Sequence, residues 1–532
     1  MHRSCTTCGD SQRGVGSLCA RTPGARRCRG SVVTSPPSVD LRRTVSNSAQ
    51  SSATEKKLNR RVTALAIAAA VGGFLFGFDS SVINGAVSSI TDEFGLTEFA
   101  SGFAVASALI GCAIGAYVAG RLADKMGRIK VMLIGAALFL ISSLGAAFAF
   151  AVWDLVLWRV IGGLGIGIAS VIAPAYISEV SPKAIRGRLA SFQQLAITLG
   201  IFVALLSDQL FAVTAGGASE PSLFGLAAWR WMFLVGIVPS VVYGVLALRL
   251  PESPRYLAGE GREDEAKTVL KGIVPAETVD TSLKEITDSI KTEAELEKKS
   301  SIRGDRFGLQ PIVWVGIILA VLQQFVGINV IFYYSTTLWQ AVGFQESDSF
   351  TISTITSIVN VVVTFVAIGL VDKVGRRPLL LIGSVGMFLS LAVTALAFSQ
   401  SVPGDGGDPQ LPGAWGPVAL VAANLFVVSF GATWGPLMWV LLGEMFPNSI
   451  RATALGVGSA ANWIANFIVT VSFPSLAAVS LTLSYGIFAA FALISFFFVL
   501  AKIPETKGRS LEEMGISAVE GGTAKGASGA RR

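Results

Sequence analysis

Twelve apolar runs, each long enough to cross a lipid bilayer, recur along this chain of 532 residues. A transmembrane helix needs about 20 such residues. Six runs occupy residues 62–90, 100–120, 131–151, 153–178, 189–211 and 228–250, and six more occupy 311–338, 349–371, 378–399, 414–443, 450–473 and 480–503. Because 52% of the residues are hydrophobic and only 14% are charged, a soluble globule is excluded. The sequence predicts an all-α membrane protein with two sets of six transmembrane helices.

Basic residues are concentrated in every second loop between these runs. They are Arg121, Lys125, Arg128, Lys130, Lys183, Arg186, Arg188, Lys373, Arg376, Arg377 and Arg451. The other loops carry almost none, with Arg230 as the exception. By the positive-inside rule, the basic loops and both termini are cytoplasmic in a multi-pass protein of the inner or plasma membrane. Since the net charge of +7 is spread over short loops, we expect no nucleic-acid partner.

The apolar runs divide the chain into five segments. We predict a disordered N-terminal extension, a six-helix bundle, a cytoplasmic linker, a second six-helix bundle and a cytoplasmic tail, at residues 1–59, 60–250, 251–310, 311–505 and 506–532. In the linker, Leu283, Ile286 and Ile290 recur at helical spacing. That spacing predicts short amphipathic helices lying on the cytoplasmic face, and the alternative is a solvated linker.

The five cysteines do not form a disulfide framework. Cys112 lies alone in an apolar run, where a small buried hydrophobe is the simplest interpretation. The other four lie in the N-terminal extension, at Cys5, Cys8, Cys19 and Cys28. Their second pair is spaced too widely for a zinc ribbon, so we predict no metal site.

Two pairs of motifs repeat at matching places in the two six-helix sets. Gly120–Arg128, between the second and third runs, returns as Gly369–Arg377 between the eighth and ninth. Glu179–Arg186 returns as Glu444–Arg451. Duplicated halves around a midplane site are typical of secondary transporters. The glycines at 163, 165 and 167 lie mid-membrane, where we expect them to pack helices.

These motifs, together with Pro251–Leu257, Gln323–Asn329 and Pro504–Gly508, resemble the sugar porter family of the major facilitator superfamily. The resemblance covers about Arg61 to Leu511, and it is closest to bacterial D-xylose-type sugar:proton symporters. It implies the fold of that superfamily, with no enzymatic activity. It further implies that the protein acts as a monomer in the bilayer. The implied function is import of a monosaccharide, of the xylose, glucose or galactose class, with a proton by alternating access.

One carboxylate, Asp79, lies inside the glycine-rich first run. A charged side chain in the bilayer is costly and marks a functional site by default. The candidate partner is Arg159 of the fourth run, because both residues lie at depths that differ by roughly one turn or less. The only histidine is His2, so a histidine proton relay is excluded. A static ion pair and a proton-coupling pair both fit this pattern.

The resemblance favours the proton-coupling interpretation. In the xylose:proton symporters an aspartate and an arginine at these motif positions couple transport to protons, whereas facilitative glucose carriers have asparagine at the position of Asp79. We therefore expect no cofactor other than the proton as coupling ion. The rival functions are a facilitator without coupling and, from another class, a transporter-like sugar sensor. A drug exporter is expected to have a more apolar cavity.

A sugar site needs amide side chains, which both donate and accept, and an aromatic ring. The seventh run supplies Gln323, Gln324 and Asn329, followed by Tyr333. On an ideal helix Gln324 and Asn329 point about 140° apart. Gly327 between them predicts a broken helix that brings both into one cavity. The alternative for such amides is hydrogen bonding between helices.

By resemblance, further sugar contacts fall on Gln194, Asn360, Trp434, Asn462 and Trp463, with Phe76 and Tyr333 as peripheral contacts. The chain departs from the xylose symporters at Ile201 and Asn462, where those proteins have glutamines. A pocket that lacks one amide and has a shorter second one need not prefer xylose, so glucose and galactose stay open.

Helix breaks and charged motifs suggest how the site is gated. Gly431, Gly435 and Pro436 predict a break in the tenth helix, and Pro174 predicts one in the fourth, with ordinary kinking as the alternative. The resemblance implies that charged residues of the cytoplasmic loops bridge the two halves as a latch that favours the outward-open state. These residues are Asp124, Arg128, Glu179, Arg186, Asp372, Arg376, Glu444 and Arg451.

Overall fold

Long apolar helices dominate the computed structural model, which describes residues 41–182, 185–299, 302, 304, 308–403, 409–446 and 450–506. The chain divides into two units, Met1–Ala53 and Thr54–Arg532. Of the first unit the structure describes only helical backbone from Leu41 onwards. The N-terminal cysteines and residues 507–532 of the predicted tail lie outside the described residues, and so does most of the predicted extension.

The first six-helix half contains seven helical elements. They are α1 (Leu41–Glu93), α2 (Glu98–Met126), α3 (Arg128–Ala147), α4 (Val152–Val180), α5 (Arg186–Ala215), α6 (Ala228–Val235) and α7 (Ile237–Arg249). The sixth membrane span runs through both α6 and α7, from Ala228 to Arg249. A 3₁₀ turn at Leu223–Gly225 precedes α6.

The linker forms two short helices, α8 (Pro254–Gly259) and α9 (Glu263–Leu270), and a longer one, α10 (Val279–Lys299), with a 3₁₀ turn at Ala276–Thr278. Leu283 on α10 packs with Leu257 and Leu270 in a small separate core. Ile286 packs against the edge of this core. Ser253 begins α8 by accepting hydrogen bonds from the backbone of Arg255 and Tyr256. The amphipathic helices predicted for the linker are therefore present.

The second half contains α11 (Pro311–Phe325), α12 (Ile328–Tyr333), α13 (Ser335–Gln340), α14 (Glu346–Val374), α15 (Arg376–Phe398), α16 (Trp415–Gly431), α17 (Trp434–Met445), α18 (Arg451–Val479) and α19 (Leu481–Lys502). Two short antiparallel strands, β1 (Val402–Pro403) and β2 (Pro409–Gln410), pair between α15 and α16 in the register Val402 to Gln410. Across the described residues, twelve helical stretches are long and apolar enough to cross a membrane. The predicted all-α membrane fold with twelve spans is confirmed.

We call the face that carries Arg128 and Arg376 the basic face, and the other the opposite face. On the basic face the two halves repeat one contact. The Glu252 carboxylate accepts hydrogen bonds from the backbone N–H groups of Arg128 and Ile129 at the start of α3, at 2.9 and 3.3 Å. Glu505 accepts from Arg376 and Arg377 at the start of α15, both at 3.0 Å. The sequence duplication is thus a structural duplication.

Glycines allow the helix backbones of the first half to touch. A Cβ atom on Gly77 of α1 would collide with the carbonyl oxygen of Ile197 on α5. Gly163 and Gly167 of α4 meet the carbonyls of Ala108 and Cys112 on α2 in the same way. Such close approach stabilises helix pairs in membranes, where lipid supplies no hydrophobic drive between helices.

The two halves are joined by hydrogen bonds toward the opposite face. Asn84 of α1 accepts from the backbone N–H and the hydroxyl of Thr336, both at 3.1 Å. Further bonds between described residues of the two halves are Ser88 to Gln340, Gln209 to Thr351, Thr354 to the Leu205 carbonyl, and the Ala218 amide to Glu346. The structure is therefore in a conformation that is closed at the opposite face.

Candidate functional site

Asp79 and Arg159 form an ion pair inside the first half. Nη1 of Arg159 lies 3.1 Å from Oδ2 of Asp79, and it also lies 3.4 Å from the Asp79 backbone carbonyl. The two residues are 6% and 3% exposed. The contact is close, but Asp79 Oδ2 and Arg159 Nε have no well-directed hydrogen bond. The predicted meeting of α1 and α4 at this depth is confirmed, while the role of the pair stays open to experiment.

Asp79 faces an internal cavity and not the lipid. Phe76, Asp79 and Ile83 of α1, Cys112 of α2, Arg159 of α4 and Tyr333 of α12 line this cavity. Since Tyr333 belongs to the second half, the carboxylate lies where the two halves meet. A change in how the halves pack would therefore change the surroundings of the ion pair directly.

The seventh span is broken at Gly327, as the sequence predicts. Helix α11 ends at Phe325, Gly327 has a φ of 82°, and α12 begins at Ile328. A positive φ is readily adopted only by glycine, which lacks a Cβ atom. The break rotates Asn329 back toward α11, so that its Nδ2 donates to Gln324 Oε1 at 2.6 Å.

Four amides, three of them buried and Asn329 half-buried, form one hydrogen-bonded network in the second half. Asn462 of α18 donates to Gln323 at 2.8 Å, and Gln324 donates to Asn462 at 3.2 Å. Gln324 also contacts Gln323 at 3.3 Å, and Asn329 completes the set. Within this set Gln324 and Asn462 both donate and accept, Gln323 accepts and Asn329 donates. Every amide side chain carries both a donor and an acceptor, which is the chemistry that sugar hydroxyls require. In this conformation the amides satisfy one another.

An aromatic contact places the amide network beside the Asp79 cavity. The rings of Phe76 and Trp463 meet edge to face, with centroids 5.6 Å apart. Phe76 lines the cavity, and Trp463 follows Asn462 of the network along α18. The charged pair and the amides are therefore neighbours across the boundary between the two halves.

The tenth span is also broken, and the break contacts the network. Helix α16 ends at Gly431, Thr433 has φ −134° and ψ −85°, and α17 begins at Trp434. Nε2 of Gln323 donates to the carbonyls of Trp434 and Gly435 at 3.2 and 3.3 Å. The side chain of Gln323 on α11 therefore contacts the first turn of α17, directly after the break.

Pro174 does not break the fourth span, so that prediction is wrong. Helix α4 runs from Val152 to Val180 with Pro174 inside it. A proline removes one backbone donor, and membrane helices tolerate this when neighbouring groups surround the gap.

The prediction that Trp434 contacts sugar is not supported in this conformation. Its side chain is fully buried, and its indole N–H donates to the Leu380 carbonyl and to Ser384 Oγ on α15, at 3.1 and 3.0 Å. Trp439, five residues further on α17, is 41% exposed. Trp439 lies about one helical turn after Gly435. The carbonyl of Gly435 contacts Gln323 of the amide network. The sequence carried a signal that the prediction did not use, because Trp439 lies one turn after Gly435 in the broken tenth span.

The two remaining candidate contacts, Gln194 and Asn360, lie outside the amide network. Gln194 is half-buried on α5, and Asn360 is buried on α14 beside Gly431. Among the described residues, no hydrogen bond joins either side chain to Gln323, Gln324 or Asn462. Both stay predictions for a sugar-bound conformation.

The charged residues of the basic face pair within each half. Arg128 binds Glu179 at 3.0 Å and Asp124 at 3.2 Å in the first half. Arg376 binds Glu444 at 3.0 Å in the second. Each arginine begins the third membrane span of its half, α3 or α15, and its glutamate lies near the end of the fourth span, in α4 or α17. The described pairs therefore do not bridge the two halves, contrary to the expectation.

The remaining latch residues add no described bridge between the halves. Arg451 donates to the Phe446 carbonyl of its own half, at 3.0 Å. The side chains of Arg186 and Asp372 lie outside the described part of the chain. A latch between the halves stays a prediction for a conformation that is closed at the basic face.

The sequence analysis missed one buried carboxylate, Asp208 of α5. Its side chain is fully buried, and neither carboxylate oxygen has a hydrogen-bond partner among the described residues. The signal was available, because Asp208 lies inside an apolar run of spanning length, as Asp79 does.

Comparisons with known proteins agree with this architecture. The family model described as "Sugar (and other) transporter" matches residues 65–517. A "Glucose transport protein" of Synechocystis sp. is 51% identical over 448 residues, covering 84% of this chain and 95% of the relative. A "D-xylose-proton symporter" of Escherichia coli is 35% identical over 486 residues, covering 85% and 95%.

Solved structures of one transporter give the same result. The partially occluded inward open conformation of the xylose transporter XylE from E. coli matches with a TM-score of 0.73 and 32% identity. It covers 85% of this chain and all of that chain. The proton:xylose symporter XylE bound to 6-bromo-6-deoxy-D-glucose matches with a TM-score of 0.70 and 34% identity, covering 86% and 99%. Relatives of this kind are transport proteins and not enzymes, and the present chain belongs to the sugar porter family of the major facilitator superfamily.

Proposed function

We propose that this sugar transporter imports a monosaccharide together with a proton, by alternating access. The observation that carries the proposal is the buried Asp79–Arg159 ion pair in a cavity that both halves line. The basic face is taken as cytoplasmic, in accordance with the positive-inside rule.

The argument for proton coupling compares the free energy of Asp79 in its ionised form, paired with Arg159, and in its protonated form. An ionised carboxylate in this cavity needs the guanidinium of Arg159, because an unpaired buried charge is unfavourable by several kcal/mol. A proton can replace that partner, since a neutral Asp79 no longer needs Arg159. Protonation from the opposite face would therefore release Arg159 and permit a conformation that the ion pair disfavours. The membrane potential favours entry, because one charge moved through 100 mV is worth about 2.3 kcal/mol.

Sugar binding is assigned mainly to the second half. Gln323, Gln324, Asn329 and Asn462 offer donors and acceptors that are at present hydrogen-bonded to one another and, for Gln323 and Asn462, also to backbone carbonyls. Sugar hydroxyls would replace these mutual hydrogen bonds, and the ring of Trp463 would cover an apolar sugar face. Phe76 and Tyr333 would close the site from the side of Asp79. We add Trp439 to the candidate contacts, with Gln194 and Asn360 approaching when sugar is bound.

The sugar is a hexose or pentose of the glucose, galactose or xylose class. The relatives are named for glucose and for xylose transport. With the shorter amide of Asn462 and the apolar side chain of Ile201 in place of two glutamines, the pocket need not prefer xylose, and a hexose with its additional hydroxymethyl group is an equal candidate. A competition panel of labelled glucose against unlabelled galactose and xylose would rank the three.

Uptake by purified protein in proteoliposomes tests the proposal. With a pH gradient imposed, wild-type protein should accumulate labelled sugar against its gradient, and sugar should drive proton entry into lightly buffered vesicles. The Asp79→Asn variant should lose accumulation and keep counterflow exchange. Asp348→Asn, which removes an exposed aspartate at the opposite face, is the matched control and should behave as wild type.

A facilitator without coupling is the second candidate, because the amide network needs no proton to bind sugar. It predicts sugar entry with no proton movement in the wild-type protein. Full accumulation by Asp79→Asn would instead remove that residue from the coupling mechanism.

A further inference from the structure

Asp208 is a buried acid that the function described so far does not use. It lies on α5 with 0% exposure, and neither carboxylate oxygen has a hydrogen-bond partner among the described residues. Its neighbours are Gly85 of α1 and Met232 of α6, since a Cβ atom on Gly85 would lie 2.8 Å from both Asp208 Cβ and Met232 Sδ. The carboxylate thus lies against the backbone of α1 at Gly85, whose amide faces it, and beside the Met232 thioether.

Asp208 has its own surroundings and does not belong to the Asp79 cavity. Gly85 follows Asp79 by six residues on α1, so the two positions point about 120° apart around the helix. Along α5, Asp208 lies seven residues before the end of the helix at Ala215, or about 10 Å from it. It is therefore nearer the opposite face than Asp79, on another side of α1.

The bases on neighbouring elements are already engaged with other acids. Arg159 of α4 pairs with Asp79, and Arg230 of α6 pairs with Glu93 at 2.6 Å. The charged groups that α1, α4, α6 and α14 carry toward this end of the molecule are Asp79, Asp92, Glu93, Asp154, Arg159, Arg230, Glu346 and Asp348. None of them forms an ion pair with Asp208 within the described ranges.

A proton is the cation that fits this site. Burial of an ionised carboxylate without a partner is strongly unfavourable, and the usual outcome is neutralisation. A metal ion would need several oxygen ligands, and the described residues contain no group of three acidic, histidine or cysteine ligands. A neutral carboxylic acid can also donate to a helix carbonyl four residues earlier, as Thr214 does to the Leu210 carbonyl on the same helix.

Closure of the opposite face contributes to the burial of this stretch of α5. The residue after Asp208, Gln209, donates to Thr351 of α14 at 3.0 Å, and Thr354 of α14 donates to the Leu205 carbonyl. Both contacts join the two halves. When the opposite face opens, these contacts must separate, and water reaches the end of α5.

We infer that Asp208 is a second proton-binding site, which holds its proton while the opposite face is closed and loses it when that face opens. The inference rests on the proposed function in one respect, that the closed opposite face is one state of an alternating-access cycle. Low pH then favours closure and high pH favours opening. Asp208 has no basic partner from which a proton must displace it, so its protonation depends on pH and on access of water. It does not belong to the amide network, so this response needs no contact with the sugar.

Infrared spectroscopy of the purified full chain in lipid tests the protonation. Wild-type protein at neutral pH should show the carbonyl stretching band of a neutral carboxylic acid, and Asp208→Asn should lose that band. Asp79→Asn and the exposed-residue control Asp348→Asn should keep it. An unchanged band in Asp208→Asn would overturn the inference. If the asparagine variant does not fold, Asp208→Ser gives the same readout.

Distance measurements between spin labels test the link to closure. Labels at Phe150, between α3 and α4, and at Val479, at the end of α18, report on the opposite face from exposed positions in the two halves. The five native cysteines are replaced for this purpose. Raising the pH should shift the wild-type distribution toward longer distances, and Asp208→Asn should lose most of this shift. An equal shift in both proteins would overturn the link.

Failure of this inference can be distinguished from failure of the proposed function. If Asp79→Asn still accumulates sugar, proton coupling through Asp79 fails, while the infrared band of Asp208 is decided independently. If wild-type protein accumulates sugar but Asp208→Asn changes neither the band nor the distances, only the second site fails.

Discussion

The first half of this transporter buries charge, whereas the second half buries amides. Asp79, Arg159 and Asp208 lie inside the first half with exposures of 8% or less. Gln323, Gln324 and Asn462 occupy the interior of the second. On the basic face, by contrast, the two halves repeat the same contacts, with Glu252 and Glu505 each capping the helix that begins at an arginine. The two halves thus share these capping contacts, which we call the shared frame, and they differ in the polar groups of their interiors.

The difference separates two tasks that a coupled carrier must perform. A carboxylate can change its charge by taking a proton, so its half can respond to a proton gradient. Amides keep a constant charge and both donate and accept, so their half can recognise hydroxyl groups. The contact of Phe76 with Trp463 places the two chemistries side by side. Four predictions test this division, and they are given in order of the expected effect.

Removing Arg159 should have the largest effect. Arg159→Gln leaves Asp79 buried without its partner, and breaking such a pair costs about 3–5 kcal/mol of unfolding free energy. Thermal unfolding in detergent measures the loss. The double variant Asp79→Asn/Arg159→Gln should recover most of the stability without regaining accumulation. If the double variant is no more stable than Arg159→Gln, the unpaired charge of Asp79 is not the cause of the lost stability.

Close packing of the first half should make Gly77→Ala destabilising by about 1–3 kcal/mol. The added methyl group meets the backbone carbonyl of Ile197, which cannot move aside as a side chain could. In the second half, Gly443→Ala is the matched control, because a Cβ atom there has nothing within 4 Å. The control should be neutral or slightly stabilising in the same unfolding assay. Equal losses from both variants would contradict the packing argument.

Loss of an amide from the second half should weaken sugar binding and leave coupling intact. Gln324→Ala should raise the sugar dissociation constant by about 5- to 150-fold, or 1–3 kcal/mol, because a sugar hydroxyl loses its partner. Tryptophan fluorescence titration and counterflow measure this. Asn424→Ala is the control, since that amide donates to the Leu420 carbonyl of its own helix. Unchanged affinity for Gln324→Ala would remove that residue from the site.

The smallest effects belong to the shared frame. Glu252→Ala and Glu505→Ala each remove a carboxylate that accepts two backbone N–H groups at the start of a helix, which should cost about 0.5–2 kcal/mol of stability. Glu252 accepts one more backbone N–H, from Ser253. We expect the two losses to be similar and sugar affinity to be unchanged. A large loss from one and none from the other would show that the duplicated frame is no longer energetically equivalent in the two halves.

Much of the site follows from local sequence. Gly327 between Gln324 and Asn329 predicts the helix break, since otherwise the two amides diverge, and the structure joins them at 2.6 Å. The depth of Asp79 and Arg159 in their helices predicts their contact, because rise per residue is the same in every α-helix. The latch is different: Arg128 and Glu179 have the right signs to bridge the halves, yet they pair within one half. Charge sign is local information, whereas the choice among partners depends on the conformation.

The amino-acid sequence by itself determined the number of spans, the duplication and the residue types of the site, because hydropathy, repeated motifs and backbone geometry are properties of short stretches. Only the tertiary structure decided that Trp434 turns into α15, that Pro174 leaves α4 continuous, and that Asp208 is enclosed without a partner. These outcomes depend on which face of a helix meets which neighbour. In a lipid-embedded bundle every face of a helix can be apolar, so periodicity in the sequence does not distinguish them.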